Sequence, residues 1–236
     1  MRTLAIARRD FASYFLTPTG YVVTALYLLF TGLLFWNDFE PGQIATMRSV
    51  FSYSTWALLF IGPAITMRMI SEEVRTGTAE MLMTAPVSEC SVIMGKFIAA
   101  SWFLVVMLVP TVVYVVALEM YGRPDYGELS AGYIGVVCAG LAYLASGLFA
   151  STLTSSQLVA FMVALFFWLV LSVGAKMLPA YLPEPWSQLA VALDPDLRLR
   201  DFAIGLIDTA NIAFFAAIAV FFLAAAVKSL EARRWR

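Results

Sequence analysis

The stretch SEEVRTGTAEMLMTAPVS, residues 71–88, separates two apolar segments and carries Glu72, Glu73 and Glu80, in a chain that is 61% hydrophobic and only 13% charged. That composition, with a mean hydropathy of +0.84, exceeds what a soluble core requires and is that of a polytopic membrane protein. The stretch is then a polar connection between two spans. Ser71 is placed to cap a turn opened by Glu72 and Glu73, both favourable near a helix N-terminus. Gly77 permits a sharp turn. Thr78 can cap a second short helix, with Glu80 near its start and Met81, Leu82 and Ala85 on one side. Pro86 stops that helix, and Ser88 can cap the next span. Two readings of the stretch stand. One is a short rigid helix held crosswise beneath two spans, which passes a push from a partner into both. The other is an ordinary amphipathic loop at headgroup level.

Outward from it, the rest of the chain reads as an all-α integral membrane protein. A transmembrane helix takes about 20 mostly apolar residues, and six segments qualify: 19–36, 49–70, 92–118, 130–152, 157–177 and 208–228. An even number places both termini on one side. With the termini inside, ten of the fifteen cations lie inside, among them Arg68, Arg75 and Lys96, as the positive-inside rule favours. Residues 71–90 are then a cytoplasmic loop. Residues 1–17 predict an amphipathic helix with Leu4, Ala7, Phe11, Tyr14 and Phe15 on one face, lying at the membrane surface or shaping a docking surface. Residues 178–207 predict an outer loop whose short apolar runs, QLAVAL and FAIGLI, form re-entrant half-helices or rest on the bilayer. Gly62-Pro63 predicts a kink in the second span, static or a moving hinge, because proline removes a backbone hydrogen bond.

Several function classes are excluded by what is missing. There is no histidine, which removes the usual zinc sites and Ser-His triads. Cys90 and Cys138 are far apart and read as small buried hydrophobes. No catalytic, cofactor-binding or metal-binding residue is expected. A net charge of −1 suggests no nucleic-acid partner. No ionisable residue sits in the middle of a span, where ion-coupled transporters usually carry one. The chain has no GxxxxGK[ST] motif, so it has no P-loop with which to bind ATP. A transporter built this way draws its energy from another chain.

The residues from Pro63 to Phe97 resemble the permeases of the ABC-2 family. Glu73, Arg75, Gly77, Thr78, Glu80, Leu82, Thr84, Pro86, Val87, Ser88, Gly95, Lys96 and Phe97 keep step with that family's signature. GLFASTLTSSQLVA, residues 147–160, is similar to its turn between spans four and five. The last 36 residues are most similar to the gliding-motility-type branch, and more distantly to the nitrous-oxide-reductase-maturation permeases.

The resemblance implies a core of two permease chains, identical or paired with a paralogue, in the bacterial inner membrane. Two cytosolic ABC ATPase subunits, which bind ATP and magnesium, dock on it, and an auxiliary subunit with a large extracytoplasmic domain often accompanies it. It implies that Glu72, Glu73, Arg75, Gly77, Thr78, Glu80, Met81, Leu82 and Pro86 form the ATPase-coupling region, beside the amphipathic N-terminal helix. The expected function is a permease subunit that couples ATP hydrolysis by its partners to export, or to force on an outer partner. A non-transporting membrane scaffold and, less favoured, an integral membrane enzyme are the alternatives.

Overall fold

The structure, a computed structural model, describes residues 2–38, 46–77, 88–122 and 124–234. These residues are all helical apart from turns. The helices are α1 (Arg2–Leu16), α2 (Pro18–Asp38), α3 (Arg48–Thr66), α4 (Arg68–Arg75), α5 (Glu89–Leu108), α6 (Val112–Tyr121), α7 (Tyr126–Leu153), α8 (Gln157–Met177), α9 (Trp186–Ala192), α10 (Pro195–Ala203) and α11 (Thr209–Arg234). Among the described residues, six helical stretches are long and apolar enough to cross a membrane: Pro18–Asn37, Arg48–Arg75, Glu89–Tyr121, Tyr126–Leu153, Gln157–Ala180 and Thr209–Ala232. They match the six expected segments in number and order, and all run longer.

The extra length has physical causes. The second stretch continues as helix to Arg75 through α4, whereas hydropathy alone ended it at 70. Met67, between α3 and α4, keeps helical dihedrals, and its amide donates to the Pro63 carbonyl at 2.7 Å. Ser71 consequently lies inside a helix. It is buried and donates its hydroxyl back to the Met67 carbonyl, so it does not cap a turn. Glu72 and Glu73 therefore sit in the last turns of a helix, not the first turn of one. Ser88 does cap α5, accepting from the Ser91 amide at 3.3 Å. The third stretch passes through a short 3₁₀ turn at Val109–Thr111, where Pro110 interrupts the ladder.

Helix α7 is the centre. It packs on α3, α11, α8, α10 and α5, and its small residues let these neighbours approach. A Cβ at Gly147 would stand 2.9 Å from the Pro63 Cα, and one at Gly62 would stand 2.9 Å from the Tyr143 Cβ. On the α8 side, Trp168 is buried against the Tyr143 ring and donates its indole N–H to the Ser146 hydroxyl at 2.8 Å, since a buried indole needs an acceptor.

The two ends of the bundle differ. One end carries α1, α4 and the start of α5. The other carries α9, α10 and the ion pair from Arg48 to Glu128, with nitrogen–oxygen distances of 2.9 and 3.0 Å. There the segment 178–207 folds as two short helices. The Asp194 carboxylate caps α10 by accepting from the Asp196 amide at 2.9 Å. Helix α10 docks into the bundle between α3 and α7, with Phe202 buried against Gly135. QLAVAL falls largely within α9. FAIGLI forms no helix of its own: its first two residues end α10, and the chain then turns at Gly205, where φ is +90°. The amphipathic run PDLRLRDFA is the helix there, because its proline and capped aspartate start it and Leu199 and Phe202 have a face to bury. Arg198 ties the region together. It donates to the Ala192 carbonyl and to Asn211 Oδ1, and it lies 4.3 Å over the Phe214 ring.

Candidate functional site

Helix α1 has apolar and small residues at a helical spacing that leaves one packed stripe: Thr3, Ile6, Ala7, Asp10, Phe11, Tyr14 and Phe15. The stripe packs along α5 from Ser91 to Phe103 in parallel register. Thr3 meets Ser91 at 2.6 Å, Phe11 meets Trp102, and Tyr14 stacks on Phe103 with ring centroids 4.6 Å apart. Gly95 makes the approach possible, since a Cβ there would stand 2.9 Å from the Ile6 side chain. Leu4, which the sequence placed on this face, is 60% exposed. Asp10, which hydropathy places elsewhere, is on it.

Asp10 belongs there because of Lys96. That lysine lies in the second turn of α5 and is buried. Its ammonium contacts Asp10 Oδ2 at 3.2 Å and Glu73 Oε1 at 2.7 Å. Arg9 closes the group, with Nε 2.8 Å from Asp10 Oδ1 and a guanidinium nitrogen 3.7 Å from Glu73 Oε1. Two cations face two carboxylates, so the cluster is neutral. A buried charge is tolerable only when paired in this way. The hydrogen bond to Asp10 and the nearby Glu73 charge raise the Arg9 pKa against the opposing effect of burial, so Arg9 is a permanent cation. Burial, reinforced by Asp10, raises the Tyr14 hydroxyl pKa while Arg68 opposes it. Tyr14 therefore stays a neutral donor, directed at the Ile65 carbonyl at 3.4 Å.

The cluster joins three elements, α1, α4 and α5, immediately before and after residues 78–87. Of the residues expected to couple to a partner, Glu73 faces inward to Lys96. Glu72 is half-buried, and Arg75 and Gly77 are exposed. Gly77 has φ +75° with nothing within 4 Å of an added Cβ, so the glycine is needed for its backbone and not for space. The Thr76 amide donates to the Glu72 carbonyl, closing the helix before this turn. Thr78, Glu80, Met81, Leu82 and Pro86 lie outside the described residues. Gly62 and Pro63 are buried against α7, within a turn of the junction at Met67.

Sequence reading did not assemble Asp10, Lys96 and Arg9. A signal was present: a single lysine in an otherwise apolar helix, eight residues after its serine cap, requires a carboxylate. Among the described residues, no group of three or more Cys, Asp or Glu side chains is placed to hold a metal ion.

Residues 39–201, more than half of the chain, match the family model described as ABC-2 family transporter protein. The match includes Glu73 and Lys96 but begins after α1, which supplies Arg9 and Asp10. No curated protein matches the chain.

Proposed function

Because the chain belongs to the ABC-2 transporter family, we propose that it is the transmembrane permease subunit of an ATP-binding cassette transporter, driven by separate cytosolic ATPase subunits. The family is one of membrane transport components, and the six helices fit it. The observation that carries the coupling reading is the Asp10–Lys96–Glu73 bridge. It fixes the helix that enters residues 78–87 to the helix that leaves them, and fixes both to α1. A displacement applied to that loop then moves α1, α4 and α5 together. Gly62-Pro63, where the proline removes a backbone hydrogen bond, is where the second span bends in response.

In this reading the α1 end faces the cytoplasm of a bacterial cell. ATP and magnesium bind to the ATPase, and this chain does no chemistry. A second permease chain, identical or paralogous, completes the membrane core. The docked pair α9–α10 faces outward, where it serves either an exported molecule or an auxiliary outer subunit that receives force, as in the gliding-motility-type branch.

The variants that test this are Arg75→Glu and Gly77→Val, both at exposed positions before the loop. A β-branched residue resists φ +75°, at a cost of about 1–2 kcal/mol, which the whole fold can absorb. Each should lower co-purification of the ATPase and its stimulated turnover at unchanged permease yield. Assembly and turnover like those of the unaltered protein in both variants would remove the coupling role from this segment.

A further inference from the structure

Between the C-terminal half of α1 and α4 lies a groove of about 430 Å³, with Ser13, Tyr14 and Thr19 on one side and Ile65, Arg68 and Glu72 on the other. Its size falls within the range of about 300–1,000 Å³ common to small-molecule sites. Lys96, Asp10 and Glu73 also border it, but together with Arg9 they form the neutral cluster described above. Arg68 and Glu72 do not. They stand four residues apart on α4, the spacing at which opposite charges on a helix ordinarily pair. Yet no ion pair joins them, and neither has an ion-pair partner among the described residues. Among the described residues the groove therefore presents a guanidinium and a carboxylate without ion-pair partners, a helical turn apart.

We infer that this groove binds the phosphoethanolamine headgroup of a membrane phospholipid, with its phosphate on Arg68 and its ammonium on Glu72. An arginine fork matches phosphate oxygens bidentately. A primary ammonium has three hydrogens to donate to a carboxylate, and an ethylene link sets it at a distance from the phosphate comparable to one helical turn. A choline headgroup fits less well. Its quaternary nitrogen donates no hydrogen bond and is recognised by aromatic faces, whereas Tyr14 spends its ring on Phe103. A lipid is favoured over a soluble ligand by position. Thr19 is in the first turn of the first span, and the neighbouring Leu16 and Tyr21 are exposed apolar residues beside which acyl chains can lie. The inference needs only the membrane embedding of the chain and not its ATPase partner, so its failure leaves the coupling proposal standing.

The experiment uses the full chain, equilibrated in vesicles with equal amounts of phosphatidylethanolamine and phosphatidylcholine and extracted in mild detergent. Native mass spectrometry then counts the retained lipids. The unaltered protein should retain the ethanolamine lipid in preference. Arg68→Gln should reduce retention of both lipids by about ten- to a hundredfold, the value of charge-assisted hydrogen bonds of about 1.5–3 kcal/mol. Glu72→Gln should keep retention but abolish the preference. Ser13→Trp, at an exposed position on the groove wall, should block both lipids and serves if Arg68→Gln does not fold. Equal retention of both lipids by the unaltered protein would overturn the inference. So would displacement of the lipid by micromolar glycerophosphoethanolamine, which would assign the groove to a soluble ligand. Unchanged lipid retention with loss of a bound ATPase subunit in the Arg68 and Glu72 variants would make it a protein-docking site instead.

Discussion

Lys96 shows how much one residue can organise. Its ammonium, on a buried side chain, meets carboxylates from two other helices. Removing the charge leaves Asp10 and Glu73 facing each other with only the exposed Arg9 near them. Loss of one partner from a buried ion pair costs about 3–5 kcal/mol. Because the two carboxylates keep some access to water, Lys96→Met should fall at the low end of that range. Thermal unfolding in detergent is the measurement. Adding Asp10→Asn and Glu73→Gln to Lys96→Met should restore part of the loss, since the one charge then left in the cluster is Arg9, whose side chain is exposed to water. A triple variant less stable than the single one would show that the cluster is not held by charge. The same geometry alters how Glu73 is to be tested. Read as a solvated coupling charge, it could be removed without harm to the fold. As a partner of a buried lysine it cannot, which is why Arg75 and Gly77 are the cleaner probes of coupling.

Among the elements, α7 sets the spacing of the others. It buries Ala131, Gly132, Gly135, Ala139, Gly140, Ala142, Ala145 and Gly147, and small residues at a helix interface let backbones approach closely when no solvent drives the association. Gly147 faces the Pro63 backbone, which cannot rotate away as a side-chain tip can. Gly147→Ala should therefore force α3 and α7 apart and cost about 1–3 kcal/mol, read as a lower melting temperature. Gly174→Ala is the control: the nearest atom to its Cβ would be Leu178 Cδ1 at 3.7 Å, an ordinary contact, and it should melt like the unaltered protein. Helix α1 adds large rings, Phe11, Tyr14 and Phe15, to the close approach at Gly95, and so packs on α5 as part of the bundle.

At the scale of the whole molecule, six spans of alternating direction return the C-terminal end of α11 to the end that holds α1 and Lys96. The ten-to-five bias of cations then predicts that this end is cytoplasmic. A reporter active only outside the cytoplasm, fused after Arg236, should stay silent, and a fluorescent protein fused there should light up. The reverse pattern would overturn the orientation and, with it, the assignment of residues 71–88 to an ATPase. The opposite end is closed by α10, by Arg48 with Glu128 and by Arg198 with Asn211. It is a built surface and not a slack loop.

The six spans, the amphipathic first helix, the Ser88 cap and the turn at Gly77 could be read from residue order. Each is decided within about 20 residues, by apolar length, by helical periodicity or by the chemistry of one side chain. The family likeness was legible too, because its signature is local and continuous. Residue order did not show that α4 prolongs the second span, that FAIGLI is a turn and PDLRLRDFA a helix, or that Asp10, Glu73 and Lys96 are one cluster. The cluster depends on partners 23 and 86 residues away in the chain. A carboxylate reads as solvent-facing until a buried cation stands opposite it. Only the packing of α1 and α4 on α5 placed one there, by removing water from Lys96 and leaving Asp10 and Glu73 as its partners.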